Sequence, residues 1–291
     1  MKLKKFIPCA VISFFLVFIF IGISTLFTVR HSIDYSPADK IIRENDFSSK
    51  VHAQLQEYFE HRYSVTGIPA DVYMKSVTKT WVSEAIYYTA KHNFRSLSSN
   101  QTFQIKTKDD CFIWFDRLDQ DIADYANSLD VEKGEAFDIA LAKITDDAHR
   151  EIIKQTDVFR FNVLRSHGVM GQLEKGLKKI DITFCTVALF ILSGILAFVL
   201  LKLNRGSKLN TLYWCGISLM ISAVIVLIPC IYLNATNYFD SFVISQPQVY
   251  TAFTTYMYGV VNFAIVTELI IMTVGFAMLI GYGFANLRHS T

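Results

Sequence analysis

Four apolar runs constrain this chain more than any other feature: Phe6–Val29, Ile182–Leu201, Leu212–Leu233 and Tyr258–Phe284. About 20 helical residues, at roughly 1.5 Å rise each, cross the hydrocarbon core of a bilayer. A helix that is apolar on every face has no side to show to water, so it belongs in lipid or deep in a large core. The fold class that follows is an all-α integral membrane protein. It has four transmembrane helices, with a helical extracytoplasmic domain inserted between helices 1 and 2.

The charges divide the chain in the same way. Of its 26 acids, 23 lie between His31 and Ile180; only Asp181, Asp240 and Glu268 fall elsewhere. The bases of that segment nearly balance its acids, which describes an ordinary water-facing domain and excludes a nucleic-acid arm. The domain organisation is therefore an N-terminal signal-anchor helix over 1–30, an extracytoplasmic helical domain over 31–180, and a three-helix membrane unit over 181–291. That unit has a cytoplasmic turn at 202–211 and an outer loop at 234–257.

Orientation follows from Lys and Arg in the short connections. Lys2, Lys4 and Lys5 precede the first run, Lys202, Arg205 and Lys208 lie in the turn between the second and third, and Arg288 follows the fourth. The 234–257 connection has neither Lys nor Arg. Both termini are thus expected in the cytoplasm of a multi-pass cell-membrane protein. The first run exceeds the usual signal-peptide core and lacks an Ala-x-Ala site after it, so it reads as an uncleaved anchor.

Within 31–180 the pattern is helical throughout. Ser36-Pro37 and Ile68-Pro69 mark helix starts, and Gly67 marks a stop. Val77, Trp81, Ile86 and Tyr87 are candidate buried positions of one helix. Thr107 to Asp110 has the Thr-x-x-Asp form of a helix cap. Beyond it, Cys111, Phe115, Leu118, Ile122 and Tyr125 form an amphipathic stripe, and Phe137, Leu141, Ile144, Ala148 and Ile152 form a second. Ser96 to Thr102 reads as a loop.

Glu268 is the leading candidate site residue. A charged side chain in lipid costs about 2.5 kcal/mol or more, so a carboxyl inside a membrane run is usually in use. Ala264 and Gly275 share its helix face, which marks a face packed on protein. Ser193 and Ser222 lie at similar depth in the second and third runs, and with Glu268 they define an expected intramembrane polar layer. No Lys, Arg or His falls inside the four runs. Three readings of Glu268 follow: a neutral carboxyl bonded to a serine, a contact with a basic residue of a partner chain, or a proton or ion site. Ser218/Ser222 and Ala277/Gly281 have the small-xxx-small spacing that lets helices approach closely.

Other patterns weigh less. Asp109 to Asp138 carries ten carboxylates against Lys108, Arg117 and Lys133. Asp119-Gln120-Asp121 and Asp130-Val131-Glu132 alternate as calcium ligands do, but neither continues as an EF-hand loop. A solvated helix face is the expected reading. Glu57/His61 and Asp146/His149 have helical spacing and read as surface pairs, not as the Glu-x-x-His pairs of di-metal bundles. Asn100-Gln101-Thr102 and Asn234-Ala235-Thr236 match the glycosylation acceptor. Cys9, Cys111, Cys185, Cys215 and Cys230 show no zinc spacing. The topology leaves room for a bridge from Cys111 to Cys185 or Cys230, but cysteines scattered in apolar helices usually act as small hydrophobes. Nucleophile-elbow, zincin, P-loop and dinucleotide motifs are absent, so no catalytic residue, metal or cofactor is assigned.

The function expected from these features is that of a non-enzymatic polytopic membrane protein whose outer helical domain binds a partner or ligand, as a sensor, accessory or assembly subunit. Its expected partners are the lipid bilayer and a protein or second copy met through the membrane helices, not nucleic acid. The alternatives are a small transporter or channel subunit using Glu268, and a membrane enzyme acting at the outer surface.

Overall fold

The structure is a computed structural model that describes residues 3–98, 115–129 and 133–288. Among these, secondary structure is helical throughout, with no strand. The helices are α1 (Leu3–Ile33), α2 (Tyr35–Glu44), α3 (Phe47–Thr66), α4 (Ala70–Met74), α5 (Lys79–Ser98) and α6 (Phe115–Ser128). There follow α7 (Glu135–Thr156), α8 (Phe161–Ser166), α9 (Val169–Lys179), α10 (Ile182–Leu203), α11 (Leu209–Ala235) and α12 (Pro247–Arg288). A 3₁₀ turn at Tyr238–Ser241 precedes the last helix. The chain divides into two compact units, one of residues 1–33, 177–243 and 257–291, the other of 34–176 and 244–256.

The first unit holds the four helices long and apolar enough to cross a membrane: Phe6–Ile33, Ile182–Leu203, Leu209–Ala235 and Pro247–Ala285. The last of these begins outside the unit. Phe14, Phe18, Phe184, Ile191, Ile228 and Ile270 are all exposed on the unit's outside. Such a surface is unfavourable in water and natural in lipid. Asp181 caps α10 by accepting the Phe184 amide at 2.9 Å. Pro229 sits inside α11 without ending it, as membrane helices tolerate when neighbours serve the freed carbonyl.

Side-chain contacts set the helix directions. Asn204 donates to the Cys9 sulfur at 3.6 Å while Phe27 meets Phe190 with ring centroids 6.3 Å apart, so α10 runs antiparallel to α1. Phe6 packs on Trp214 at 5.3 Å and the Ser13 and Ser218 hydroxyls lie 2.6 Å apart, so α11 runs parallel to α1. Tyr213 meets Tyr282 at 5.3 Å and Phe239 meets Tyr258 at 5.2 Å, so α12 runs antiparallel to α11. The start of α1, the connection at 204–208 and the end of α12 therefore share one end of the unit. Phe6, Tyr213, Trp214 and Tyr282 gather there.

The second unit packs its helices around one apolar core. Val51 and Leu55 of α3, Val82 of α5, Ile122 of α6, Ile152 of α7 and Ala252 of α12 are fully or almost fully buried in it. Phe59 stacks on Tyr73 with ring planes 2° apart and centroids at 4.2 Å. Asp46 caps α3 by accepting the Ser49 amide at 3.1 Å, and Gly67 ends it with φ +70°, a left-handed turn that glycine adopts without strain. Of the expected positions, Val77 and Ile86 are buried and Trp81 partly so. Phe115, Leu118 and Ile122 are buried as the first stripe requires. In the second stripe Ala148 and Ile152 are buried, with Leu141 and Ile144 packed at the margin. Cys111, the Thr107–Asp110 cap and most of the 96–102 loop lie outside the described residues.

The connection expected at 234–257 is largely helix. Its last part begins α12 at Pro247, eleven residues before the apolar run. Proline is well placed in a first turn, where its missing N–H is not needed. This first portion of α12 is amphipathic in context: Gln248 is fully buried, and its amide donates to Gln54 at 2.5 Å and to Gln155 at 3.0 Å. Gln54 donates back at 2.9 Å, and Gln155 donates on to Glu151 at 2.6 Å. Tyr256, on the same helix, packs against Phe94 and Phe159. Polar residues break the hydropathy of 247–257 because their partners are the helical domain and not lipid.

Candidate functional site

Glu268 lies on α12 within the membrane-type unit, and its side chain is only 2% exposed. The face expected to pack on protein does so. Ala264 is buried, and a Cβ on Gly275 would stand 3.0 Å from both the Gly216 carbonyl oxygen and Leu219 Cβ of α11. This close backbone approach is what small residues permit in membrane helix pairs. The carboxyl thus points into the unit and not toward its outer face.

Its hydroxyl neighbour is Ser24 of α1, itself 1% exposed and bonded to its own helix through the Ile21 carbonyl at 3.1 Å. The second carboxyl oxygen, Oε2, is buried without a hydrogen bond. Ser222 is buried, and its hydroxyl is turned back onto the Leu219 carbonyl at 2.9 Å. Ser193 is half-buried and likewise donates to Phe190 of its own helix at 2.8 Å. The side chain that meets the carboxyl is therefore a serine of the first run, which depth counting in the second and third runs did not reach. Ser13 and Ser24, eleven residues apart and so on one helix face, are the signal that finds it. Ser13 serves the second polar contact of the interior: its hydroxyl and that of Ser218 bond each other, and the Ser218 hydroxyl also lies 2.8 Å from the Trp214 carbonyl.

In the helical domain the candidate charges resolve into cross-helix pairs. His149 is buried, and its Nε2 meets Asp119 of α6 at 2.5 Å, with the ring against Phe115. Asp121 accepts from Lys75 at 2.6 Å and from the Ser76 hydroxyl. Burial pushes the Asp121 carboxyl up, and the Lys75 and Ser76 contacts more than reverse this, leaving it below its ordinary range. Asp157 accepts the Phe161 and Asn162 amides at 3.0 and 2.7 Å, capping α8, while its burial holds the carboxyl above its ordinary range. Glu57 and His61 form an exposed pair at 3.8 Å. Among the described residues no three His, Cys, Asp or Glu side chains converge as metal ligands. Asp109, Asp110, Asp130 and Glu132 of the acidic stretch lie outside the described residues, as do Asn100 and its acceptor motif. Asn234 is in the last turn of α11 and donates to Asn262 at 3.1 Å. Cys9, Cys185, Cys215 and Cys230 are free thiols.

The class that these helices define is a multi-pass membrane protein: an all-helical chain with four segments long and apolar enough to span a bilayer. Comparison with protein-family models, with curated proteins and with solved structures finds no match.

Proposed function

We propose that this protein is a membrane-embedded receptor-like or accessory subunit whose helical domain, outside the cytoplasm, binds a protein partner or ligand, with α12 carrying the bound state into the membrane unit. One observation carries this reading. The first ten residues of α12 are core to the helical domain through Gln248, Ala252 and Tyr256, while Glu268 lies on the same unbroken helix inside the other unit. A simple tether would not need its chain buried in the domain it holds. At about 1.5 Å per residue, Gln248 and Glu268 are roughly 30 Å apart along one helix.

The orientation is supported by the shared end of α1, the 204–208 connection and α12. The chain positions of Lys4, Lys5, Lys202, Arg205, Lys208 and Arg288 fall at or near that end, the basic side that faces the cytoplasm. The aromatic group of Phe6, Tyr213, Trp214 and Tyr282 belongs to the interfacial belt on the same side. Lipid is then the surroundings of the first unit, and residues 34–176 belong outside the cytoplasm.

A cysteine placed at Ser64 in intact cells is expected to react with a membrane-impermeant maleimide, and one placed at Ser207 only after permeabilisation. The reverse pattern would overturn the orientation. A photo-crosslinker at exposed Tyr63 or Ile139 is expected to give a discrete adduct in the same cells. A second reading, a transporter or channel subunit, is favoured by the unpartnered oxygen of buried Glu268. Ion or proton flux in proteoliposomes that Glu268→Gln abolishes, with no adduct at the domain, would replace the receptor reading with that one.

A further inference from the structure

The helix that leads from the domain into α10 presents three distinct faces. Met170 and Glu174, one turn apart, are turned to the domain. Met170 is 1% exposed, in a cluster with Ala38, Phe94 and Phe161. Glu174, the one acid of α9, lies 3.3 Å from the Ser96 hydroxyl and 3.8 Å from Arg165. A second face holds Val169, Leu173 and Leu177, within one third of the helical turn by the 3.6 period. Val169 and Leu173 are 41% and 48% exposed, and Ile180, which continues the stripe just past the helix, is 50% exposed. On the far flank, Lys175, Lys178 and Lys179 are exposed.

Covalent distance identifies what covers the apolar face. Lys179 is three residues from Ile182, where membrane-spanning α10 begins, so the end of α9 lies within about 10 Å of that span's first turn. An exposed apolar stripe at that distance, with lysines on the opposite, polar side of the helix, has the form of a helix lying in the membrane interface. We infer that α9 is an interfacial helix: its Val169–Leu173–Leu177 face enters the headgroup–acyl boundary and its lysine flank binds anionic lipid headgroups. The domain-facing contacts of Glu174 complete the arrangement, because they take the helix's only negative charge away from the lipid. Lysines near an anionic surface are attracted to it within a Debye length.

The test uses the full chain in lipid nanodiscs, carrying an environment-sensitive fluorophore on a cysteine at Leu173, with the same label at Val169 as a second site and at exposed Tyr63 as reference. The unsubstituted chain supplies the background from native cysteines, and circular dichroism verifies folding. Both α9 labels are expected to be quenched by nitroxide-headgroup lipid and shielded from aqueous iodide several-fold relative to Tyr63. Quenching by lipid is expected to rise when phosphatidylcholine is partly replaced by phosphatidylglycerol, and Lys175→Gln/Lys178→Gln/Lys179→Gln is expected to abolish that rise. Iodide access equal to that at Tyr63 would overturn the inference. So would shielding from iodide without lipid quenching, which would mean that a protein covers the face. Lipid quenching indifferent to headgroup charge, or unchanged in the triple variant, would overturn the anionic-lipid assignment.

Discussion

Gly216 of α11 and Gly275 of α12 meet backbone to backbone: a Cβ on Gly216 would stand 2.9 Å from the Gly275 carbonyl oxygen. Real Cβ atoms do not tolerate such a distance to backbone, so a methyl there forces the helices apart. Overpacking of this kind costs about 1 to 3 kcal/mol. Gly216→Ala and Gly275→Ala are each expected to lower the melting temperature of the detergent-solubilised protein. Gly281→Ala, whose Cβ would meet nothing within 4 Å, is expected to leave it unchanged. Equal behaviour of all three would contradict the close approach.

Glu268 is buried beside Ser24, with one oxygen already unpartnered. An amide preserves both its volume and the Ser24 contact, so Glu268→Gln is expected to cost less than Glu268→Ala. Glu268→Ala opens a cavity in the same packed interior and is expected to cost about 2 kcal/mol or more. Unfolding in mixed micelles measures both. A large loss in Glu268→Gln would show that the negative charge itself is stabilising.

Gln248→Leu removes the amide that serves both Gln54 and Gln155. A buried polar group left without its partner costs about 1 to 3 kcal/mol. Hydrogen exchange is expected to accelerate in α3 and the C-terminal half of α7, where those glutamines sit, and much less in α10. Unchanged protection in α3 would show that the start of α12 is not integral to the domain.

Asp121 gives the domain a defined acid response. Its folded-state carboxyl titrates below the ordinary aspartate value of about 3.9. The stabilisation is therefore complete above that value and is lost as pH falls through the lower, folded-state one. Asp121→Asn is expected to cost about 1 to 2 kcal/mol at pH 7, from one ion pair with an exposed lysine and one hydroxyl bond. Parent and variant melting curves are expected to converge as pH falls through the folded-state value. A difference that persists undiminished there would rule out the charge as its cause.

The Ser13–Ser218 contact tests the pairing of α1 with α11. A double-mutant cycle of Ser13→Ala and Ser218→Ala is expected to give a coupling of about 0.6 kcal/mol, the mean for membrane hydrogen bonds. Zero coupling would separate the two hydroxyls.

The sequence by itself determined the four long apolar helices, because a bilayer-length run without charge has few other solutions. It also determined the helical stripes of Leu118/Ile122 and Ala148/Ile152, because period 3.6 is a local property. Glu268 was legible as a candidate for the same reason: a lone carboxyl among apolar residues needs no partner in view to stand out. Three things needed the tertiary structure. Ser24, not Ser193 or Ser222, meets Glu268, since the neighbour of a side chain depends on which helices pack and at what rotation. Gly216 faces Gly275, a contact that small-residue spacing within one helix cannot pair. The helix of Glu268 reaches back to Pro247, because Gln248 and Thr254 look like loop residues until Gln54 and Gln155 are placed against them. Hydrophobicity is written locally along the chain; hydrogen-bond partnership across 194 residues, as between Gln54 and Gln248, is not.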